Sequence, residues 1–298
     1  MNFCNQKYVC IDVGGTAIKY GILDEKGEVL EHHQIPTEAF KGGKAILEKI
    51  KNLIQVYTVK NRIHGICIST AGMVDPIEGK IIYANENIPL YAGICLKDEL
   101  EKEFSIPCEV ENDVNCAGLA EYYNGAAQGS QNALCLTIGT GIGGCAIING
   151  KLLRGSSYSA CEIGYMQVEG EEFEKVASTS ALVRTVAYKK QEDVSLWNGK
   201  KILTCAEQGD VVCKTALIDM ADILALGISN ICYVLNPDTL ILGGGIMQQE
   251  SILTVELRKA LEKYLVPVVF SHLRIEVAYH HNLAGLIGAW YYYQKQHQ

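Results

Sequence analysis

The sequence is poor in proline, with six in 298 residues, and poor in phenylalanine and tryptophan, with five and two. It has no charged tail and no low-complexity segment that would stay unfolded for want of apolar surface. No stretch approaches the roughly 18 consecutive apolar residues of a membrane-spanning helix. Met1–Lys7 lacks the charged start and apolar core of a secretory signal. Basic residues are too few for a phosphate backbone to be the main partner: 26 Lys and Arg against 34 Asp and Glu leave a net charge of −8, and nucleic-acid binders need a basic face to displace counterions. Among twelve cysteines no two stand closer than Cys4 and Cys10, so there is no C-x-x-C knuckle for zinc or redox chemistry. These absences predict a cytoplasmic protein with no nucleic-acid or membrane partner. Cys10, Cys67, Cys135, Cys145 and Cys232 sit in apolar runs, where a reduced thiol behaves as a small hydrophobe.

What is present is a globular chain, 48% hydrophobic and 20% charged with 29 glycines, long enough for two domains. Tyr8–Asp12, Ile18–Leu23 and Val29–Ile35 read as hairpin-linked strands. Lys44–Val59 carries Ile46, Ile50, Leu53, Ile54 and Tyr57 at helical spacing and leads to an apolar strand, Ile63–Ser69. Leu96–Phe104 reads as a helix, Cys108–Glu111 as a strand and Val114–Tyr123 as a helix. The second half then starts afresh: strand Ala133–Ile138, a Gly139–Gly144 turn, strand Cys145–Ile148, an Asn-Gly turn and Lys151–Leu153. This repeats the order of residues 8–35 and predicts two similarly built α/β lobes. Helix Val211–Leu235, strand Thr239–Leu242, the Gly243-Gly244-Gly245 turn, helix Ile252–Leu265, strand Ile275–Ala278 and helix Leu283–Tyr293 complete the reading.

The two glycine turns suit phosphate, because a backbone without Cβ atoms lets N–H groups close on phosphate oxygens. In the first, Asp12 ends its strand where it would hold a hydrated Mg²⁺, with the Thr16 hydroxyl and the Lys19 charge nearby. The bland alternative is that glycines merely turn hairpins. Gly139-Thr140-Gly141-Ile142-Gly143-Gly144 matches G-x-G-x-x-G, but a dinucleotide fingerprint opens a helix, and Cys145–Ile148 is β-rich. No G-x-x-x-x-G-K-[ST] is present, which excludes a P-loop enzyme.

Asp12-x-Gly14-Gly15-Thr16-x-x-Lys19, Glu111-Asn112-Asp113, the Gly139–Gly144 run, Glu162-x-Gly164 and Leu242-Gly243-Gly244-Gly245 together resemble the ROK family (repressors, open reading frames and kinases) from about residue 7 to about 290. The resemblance implies an α/β fold of two ribonuclease-H-like domains of the actin-type ATPase class with a cleft between them. The domains would be 1–113 plus 283–298, and 114–282. It implies ATP and Mg²⁺ as cofactors, a small-molecule sugar as partner, and a homodimer. ATP would be held by Asp12, Gly14, Gly15, Thr16 and Lys19 from one domain and by Thr137, Gly139, Thr140, Gly141, Gly143, Gly244 and Gly245 from the other. The triple glycine also reads simply as the start of a helix.

Phosphoryl transfer to a sugar hydroxyl needs a base on the hydroxyl proton. Asp113 alone reads as a helix cap; alongside the other motifs it reads as that base. Sugar hydroxyls are held by carboxylates and amides, which by resemblance are Asn87, Asn112, Asp113, Glu162 and Glu174, with Ser69, Ala71 and Gly72 shaping the pocket floor. Asn87 by itself reads as a turn residue. Where many family members have Glu-x-Gly-His and a cysteine-rich zinc loop, this chain has Tyr165 and no cysteine in Met166–Glu174, so no structural zinc is expected. Tyr165 is either a sugar-bonding phenol or a packed aromatic. His32-His33 and His280-His281 are read as strand neighbours on opposite faces, hence not metal pairs.

The expected activity is ATP-dependent phosphorylation of the C6 hydroxyl of glucose or of a β-glucoside such as cellobiose, with N-acetylmannosamine as the alternative substrate. A sugar-responsive regulator is the competing class. Its relatives carry an N-terminal DNA-binding domain, for which there is no room before Tyr8.

Overall fold

The computed structural model describes residues 6–298; Cys4 and most of the Met1–Lys7 segment lie outside the described residues. The chain divides into two compact units. The first comprises the described residues through Tyr123 together with Arg154–Ala160 and Asn282–Gln298. The second comprises Asn124–Leu153 and Cys161–His281. The division thus falls at the end of the helix that starts at Asp113, not before it as the sequence suggests, because that helix packs on the first sheet.

In the first unit a hairpin meander of β1 (Lys7–Val13), β2 (Ala17–Asp24) and β3 (Val29–Pro36) is followed by α1 (Gly43–Lys60) and β4 (Ile63–Thr70). A small hairpin of β5 (Met73–Asp75) and β6 (Lys80–Tyr83), then α2 (Leu96–Phe104), β7 (Cys108–Asn112) and α3 (Asp113–Asn124) come next. The sheet order is β3-β2-β1-β4-β7. The meander is antiparallel, while β4 and β7 join by parallel pairing, as helical crossovers require.

The second unit has β8 (Asn132–Ile138), β9 (Ile142–Ile148), β10 (Lys151–Leu152), the short hairpin β11 (Gln167–Val168) and β12 (Glu171–Glu172), then helices α4 (Phe173–Ala177), α5 (Thr179–Lys190), α6 (Gly199–Glu207) and α7 (Val211–Leu235). β13 (Thr239–Gly243), α8 (Ile252–Tyr264), α9 (Pro267–His272) and β14 (Arg274–Val277) complete it. Its sheet order, β10-β9-β8-β13-β14, with an antiparallel meander and two parallel joins, repeats the first sheet strand for strand. α10 (Ala284–Gln296) returns the chain to the first unit.

Side-chain alternation along β1 explains how the first sheet is covered. Val9, Ile11 and Val13 share a core with Ile46, Ile50 and Ile54 of α1. Tyr8 and Cys10 face the other way, into a core with Cys116 and Ala120 of α3 and Leu286 and Ala289 of α10. Strands buried on both faces read as continuous apolar runs, which is why β1 and β4 were legible without alternation. Asp12 continues the Tyr8, Cys10 series, and this period of two aims it at α10.

Several expectations differ from the structure. The second glycine turn is shorter than Gly139–Gly144, since β9 begins at Ile142 and takes Gly143 and Gly144 into its pairing with β8. His280 and His281 are not in a strand: His280 lies in the bend after β14 and His281 opens the 3₁₀ turn His281–Leu283, and the His280 ring meets the Asn124 carbonyl at 2.9 Å. The segment 154–210, for which the sequence reading assigns no elements, holds β11, β12 and α4 to α6.

Candidate functional site

The first unit places the acidic residues of its motifs at the carboxyl ends of β1 and β7, with Ser69 of β4 between them. Asp12 is buried at the end of β1. Its Oδ1 accepts from the Ser69 hydroxyl at 2.7 Å and its Oδ2 pairs with Lys19 Nζ at 3.2 Å. Lys19 stands opposite Asp12 in the β1–β2 register, so the D-x-G-G-T-x-x-K spacing is the length of a hairpin that folds lysine back onto aspartate. Ser69 stands opposite Asp12 on the other side. Its hydroxyl is spent on Asp12. The turn itself is held by Gly14 N donating to Ala17 O at 3.1 Å and by the Thr37 hydroxyl on Gly14 O at 2.6 Å. Gly15 and Thr16 at its tip are exposed. Gly285 of α10 packs directly on Asp12: a Cβ there would lie 2.5 Å from Oδ1.

At the β7–α3 junction Asn112 and Asp113 are half-buried. Asn112 Oδ1 accepts from the backbone N–H of Val114 at 2.9 Å and of Asn115 at 3.0 Å. These are the orphan donors that open a helix, so the capping expected of Asp113 is largely done by its neighbour. Asn112 Nδ2 donates to Asp113 Oδ1 at 3.1 Å and to Gly72 O at 2.9 Å. Asp113 Oδ1 also accepts from Val114 N at 2.9 Å. On the opposite face of β4 from Ser69, the Thr70 hydroxyl meets the buried Tyr91 hydroxyl at 2.6 Å. Burial pushes the Tyr91 phenol above its usual range, and the Asp113 charge adds to that. Asn87, three residues before Leu90, is exposed in an Asx turn closed by its N–H on Asn85 Oδ1 at 3.2 Å. The turn reading therefore holds for its backbone, and its amide is accessible.

The second unit brings Glu162 and Glu174 to the glycine turn of β8 and β9. A Cβ on Gly141 would collide with Glu174 Oε2, and one on Gly164 would lie 2.5 Å from Ile142 O and 3.1 Å from Glu174 Oε2. The Glu174 carboxylate thus lies directly against Gly141. Desolvation raises the Glu162 carboxyl above the usual range, and the nearby Glu174 charge raises it further. Tyr165 closes the short 3₁₀ turn Ile163–Tyr165 and is 42% exposed. Gly139 O accepts from Thr179 N at 2.9 Å, which ties the turn to the start of α5. Thr137 and Gly143 face each other across the β8–β9 pair, and Thr140 is exposed at the tip. Gly244 and Gly245 form an exposed bend after β13, five residues or more before α8 begins at Ile252. They do not start a helix.

Residues 8–296 match the ROK family. The chain belongs to it. A protein of Clostridium perfringens is 50% identical over 288 residues, covering 97% of this chain and 98% of its own, and carries no assigned activity. The β-glucoside kinase of Listeria monocytogenes is 31% identical, over 97% of this chain and 98% of its own. The crystal structure of a ROK family glucokinase from Streptomyces griseus, in complex with glucose and AMPPNP, superposes with a TM-score of 0.83 at 28% identity, over 95% of this chain and 97% of that one. The fold is accordingly that of the ROK sugar kinases, two ribonuclease-H-like units of the actin-type ATPase class.

Two contributors to this ROK site carry no motif signal. Gly285 is one glycine in an apolar helix, and nothing local marks its contact with Asp12. Arg154 pairs with buried Glu111 at 2.8 Å, a contact between residues 43 positions apart. The Glu111-Asn112-Asp113 triplet was the only pointer to it.

Proposed function

We propose that this chain transfers the γ-phosphoryl group of ATP to the C6 hydroxyl of a hexose, either glucose or a β-glucoside such as cellobiose. The observation that carries this reading is Asp113, a carboxylate held at the start of α3 by the Asn112 side-chain amide and the Val114 N–H. A positioned carboxylate of this kind is what abstraction of a sugar hydroxyl proton requires.

In this reading Asp113 takes the proton from the C6 hydroxyl as that oxygen forms its bond to phosphorus. Asn112, Asn87, Glu162 and Glu174 orient the sugar through its other hydroxyls, and Tyr165 offers a phenol beside the last two. The Gly14–Thr16 and Gly139–Gly141 turns present backbone N–H groups to the phosphates, and Gly244 and Gly245 border the adenosine. Among the described residues no group of three or more His, Cys, Asp or Glu side chains is placed to hold a metal ion. A single carboxylate, Asp12, fits a hydrated Mg²⁺ carried mainly by the nucleotide, whose charge would neutralise the transferring phosphoryl group. The eleven described cysteines are free thiols, which suits a reducing, cytoplasmic setting. No described helix is long and apolar enough to cross a membrane.

The test is coupled ADP release over a panel of glucose, cellobiose, N-acetylmannosamine, N-acetylglucosamine and fructose, with Asp113→Asn beside the wild type. Turnover on glucose or cellobiose that falls by about 10²-fold or more in the variant is the expected result. Equal inertness on every sugar would sink the reading.

A further inference from the structure

Glu111 is 1% exposed, and each of its oxygens is engaged. Oε1 accepts from the Asn112 backbone N–H at 2.8 Å and from the Asn115 side-chain amide at 3.0 Å. Oε2 accepts from Arg154 Nη2 at 2.8 Å and Nε at 3.2 Å. The carboxylate therefore grips the β7–α3 junction on both sides of Asp113: the residue before it, through its backbone, and the residue two after it, through its amide. Asn112 in turn donates to Asp113 Oδ1.

A carboxylate this deeply buried stays ionised only if a cation balances it. Arg154 is that cation. It comes from Arg154–Ala160, one of two segments of the second half of the sequence that belong to the first unit, and its guanidinium lies over the Tyr292 ring of α10 at 5.5 Å. Burial works against the Arg154 charge, but Glu111 and Tyr292 outweigh that and hold its proton more tightly than usual. Without the guanidinium, Glu111 Oε2 loses both of its donors inside a buried junction, and the carboxylate must shift or draw in water to replace them. Either outcome moves Asn112, and with it Asp113.

We propose that Arg154 is a positioning residue for the reaction, holding Asp113 in place through the chain Arg154–Glu111–Asn112/Asn115. This rests on the reading of Asp113 as the base. Exposed ion pairs contribute little, but this one is buried at its acidic end and acts on geometry, where a displacement of about 1 Å costs about 10²-fold in rate.

The experiment compares wild type, Asp113→Asn, Arg154→Met and the double variant Arg154→Met/Glu111→Gln, each verified as folded by near-UV circular dichroism. Turnover on the best sugar of the panel and thermal midpoint are both measured. Arg154→Met is expected to lose about 10²-fold in kcat. The double variant is expected to recover to within about tenfold of wild type, because a neutral glutamine amide needs no buried cation and still offers an oxygen to Asn112 and Asn115. A purely structural pair would move the melting midpoint and leave kcat of the folded enzyme unchanged. The inference is overturned if folded Arg154→Met keeps wild-type kcat, or if the double variant is as slow as the single one. It is equally overturned if Arg154→Met does not fold and the folded double variant is as slow as Asp113→Asn. Full activity of Asp113→Asn would instead remove the base itself, a distinguishable failure.

Discussion

At the residue scale, Asp12 shows how a candidate Mg²⁺ ligand is held in one rotamer by neighbours on both sides, Ser69 on one oxygen and Lys19 on the other. A hydrogen bond to a charged group contributes about 1.5–3 kcal/mol. Ser69→Ala is therefore expected to reduce kcat/KM for MgATP by about tenfold or more and to raise the Mg²⁺ concentration for half-maximal rate, read by titrating Mg²⁺ at fixed ATP. An unchanged Mg²⁺ curve would show that Ser69 does not aim Asp12. Glu162 gives a second residue-level prediction. Burial first, and Glu174 second, raise its carboxyl in the folded state, so between the usual carboxylate range and this raised value the folded protein binds more protons than the unfolded chain. Stability then falls as pH rises through that window. Glu162→Gln should melt at a higher temperature than wild type at pH 7, with the advantage vanishing below the usual carboxylate range. A constant difference at all pH values would contradict the assignment.

At the element scale, the placing of α10 decides what packs against Asp12 and α3 in the first unit. Gly288 lies so close to α3 that a Cβ there would overlap the Cys116 carbonyl, and Gly285 occupies the same helix face three residues earlier, against Asp12. Residues three apart share a helix face, so the two glycines form one contact line. Gly288→Ala forces the helices apart and should destabilise by about 1–3 kcal/mol, the usual cost of overpacking, measured by urea unfolding. Gly285→Ala should cost less stability and more function, because the atom it meets is the Asp12 carboxyl group: the KM for MgATP should rise with the melting midpoint little changed. Identical effects of both substitutions would mean that the contact with Asp12 has no functional consequence.

α5 shows what escaped reading at this scale. Leu182 and Val186 at spacing i, i+4 and a Ser178 cap form a helix signal, but no strand follows it directly to complete a repeated unit. The small β11–β12 hairpin, by contrast, has two-residue strands and no periodicity to detect.

At the scale of the whole molecule, the two sheets of identical order place one glycine turn in each unit, and ligand binding should stabilise the fold by mass action. A sugar that occupies the site at about 100 times its Kd adds about 2.7 kcal/mol. Melting curves with glucose, cellobiose and N-acetylmannosamine should therefore rank the substrates without turnover. Asp113→Asn should keep most of the rise if Asp113 acts mainly in the chemical step, whereas loss of the rise would make it mainly a sugar ligand.

The sequence determined by itself whatever is encoded within one hairpin or one helix turn. The seven-residue span from Asp12 to Lys19 fixed their pairing, the Asn112-Asp113 pair fixed a capped helix start, and the repeated strand, turn, strand order fixed two like units. Those features depend on local hydrogen bonding and side-chain period, which neighbours in sequence supply. Tertiary structure alone decided that Ser69 holds Asp12, that Gly285 lies on it, that Glu174 fills the space beside Gly141 and that Arg154 neutralises Glu111. Each of these joins residues tens to hundreds of positions apart. The physical reason is that a buried carboxylate needs a partner but does not prescribe where along the chain the partner comes from; only the packing of sheet and helix selects it.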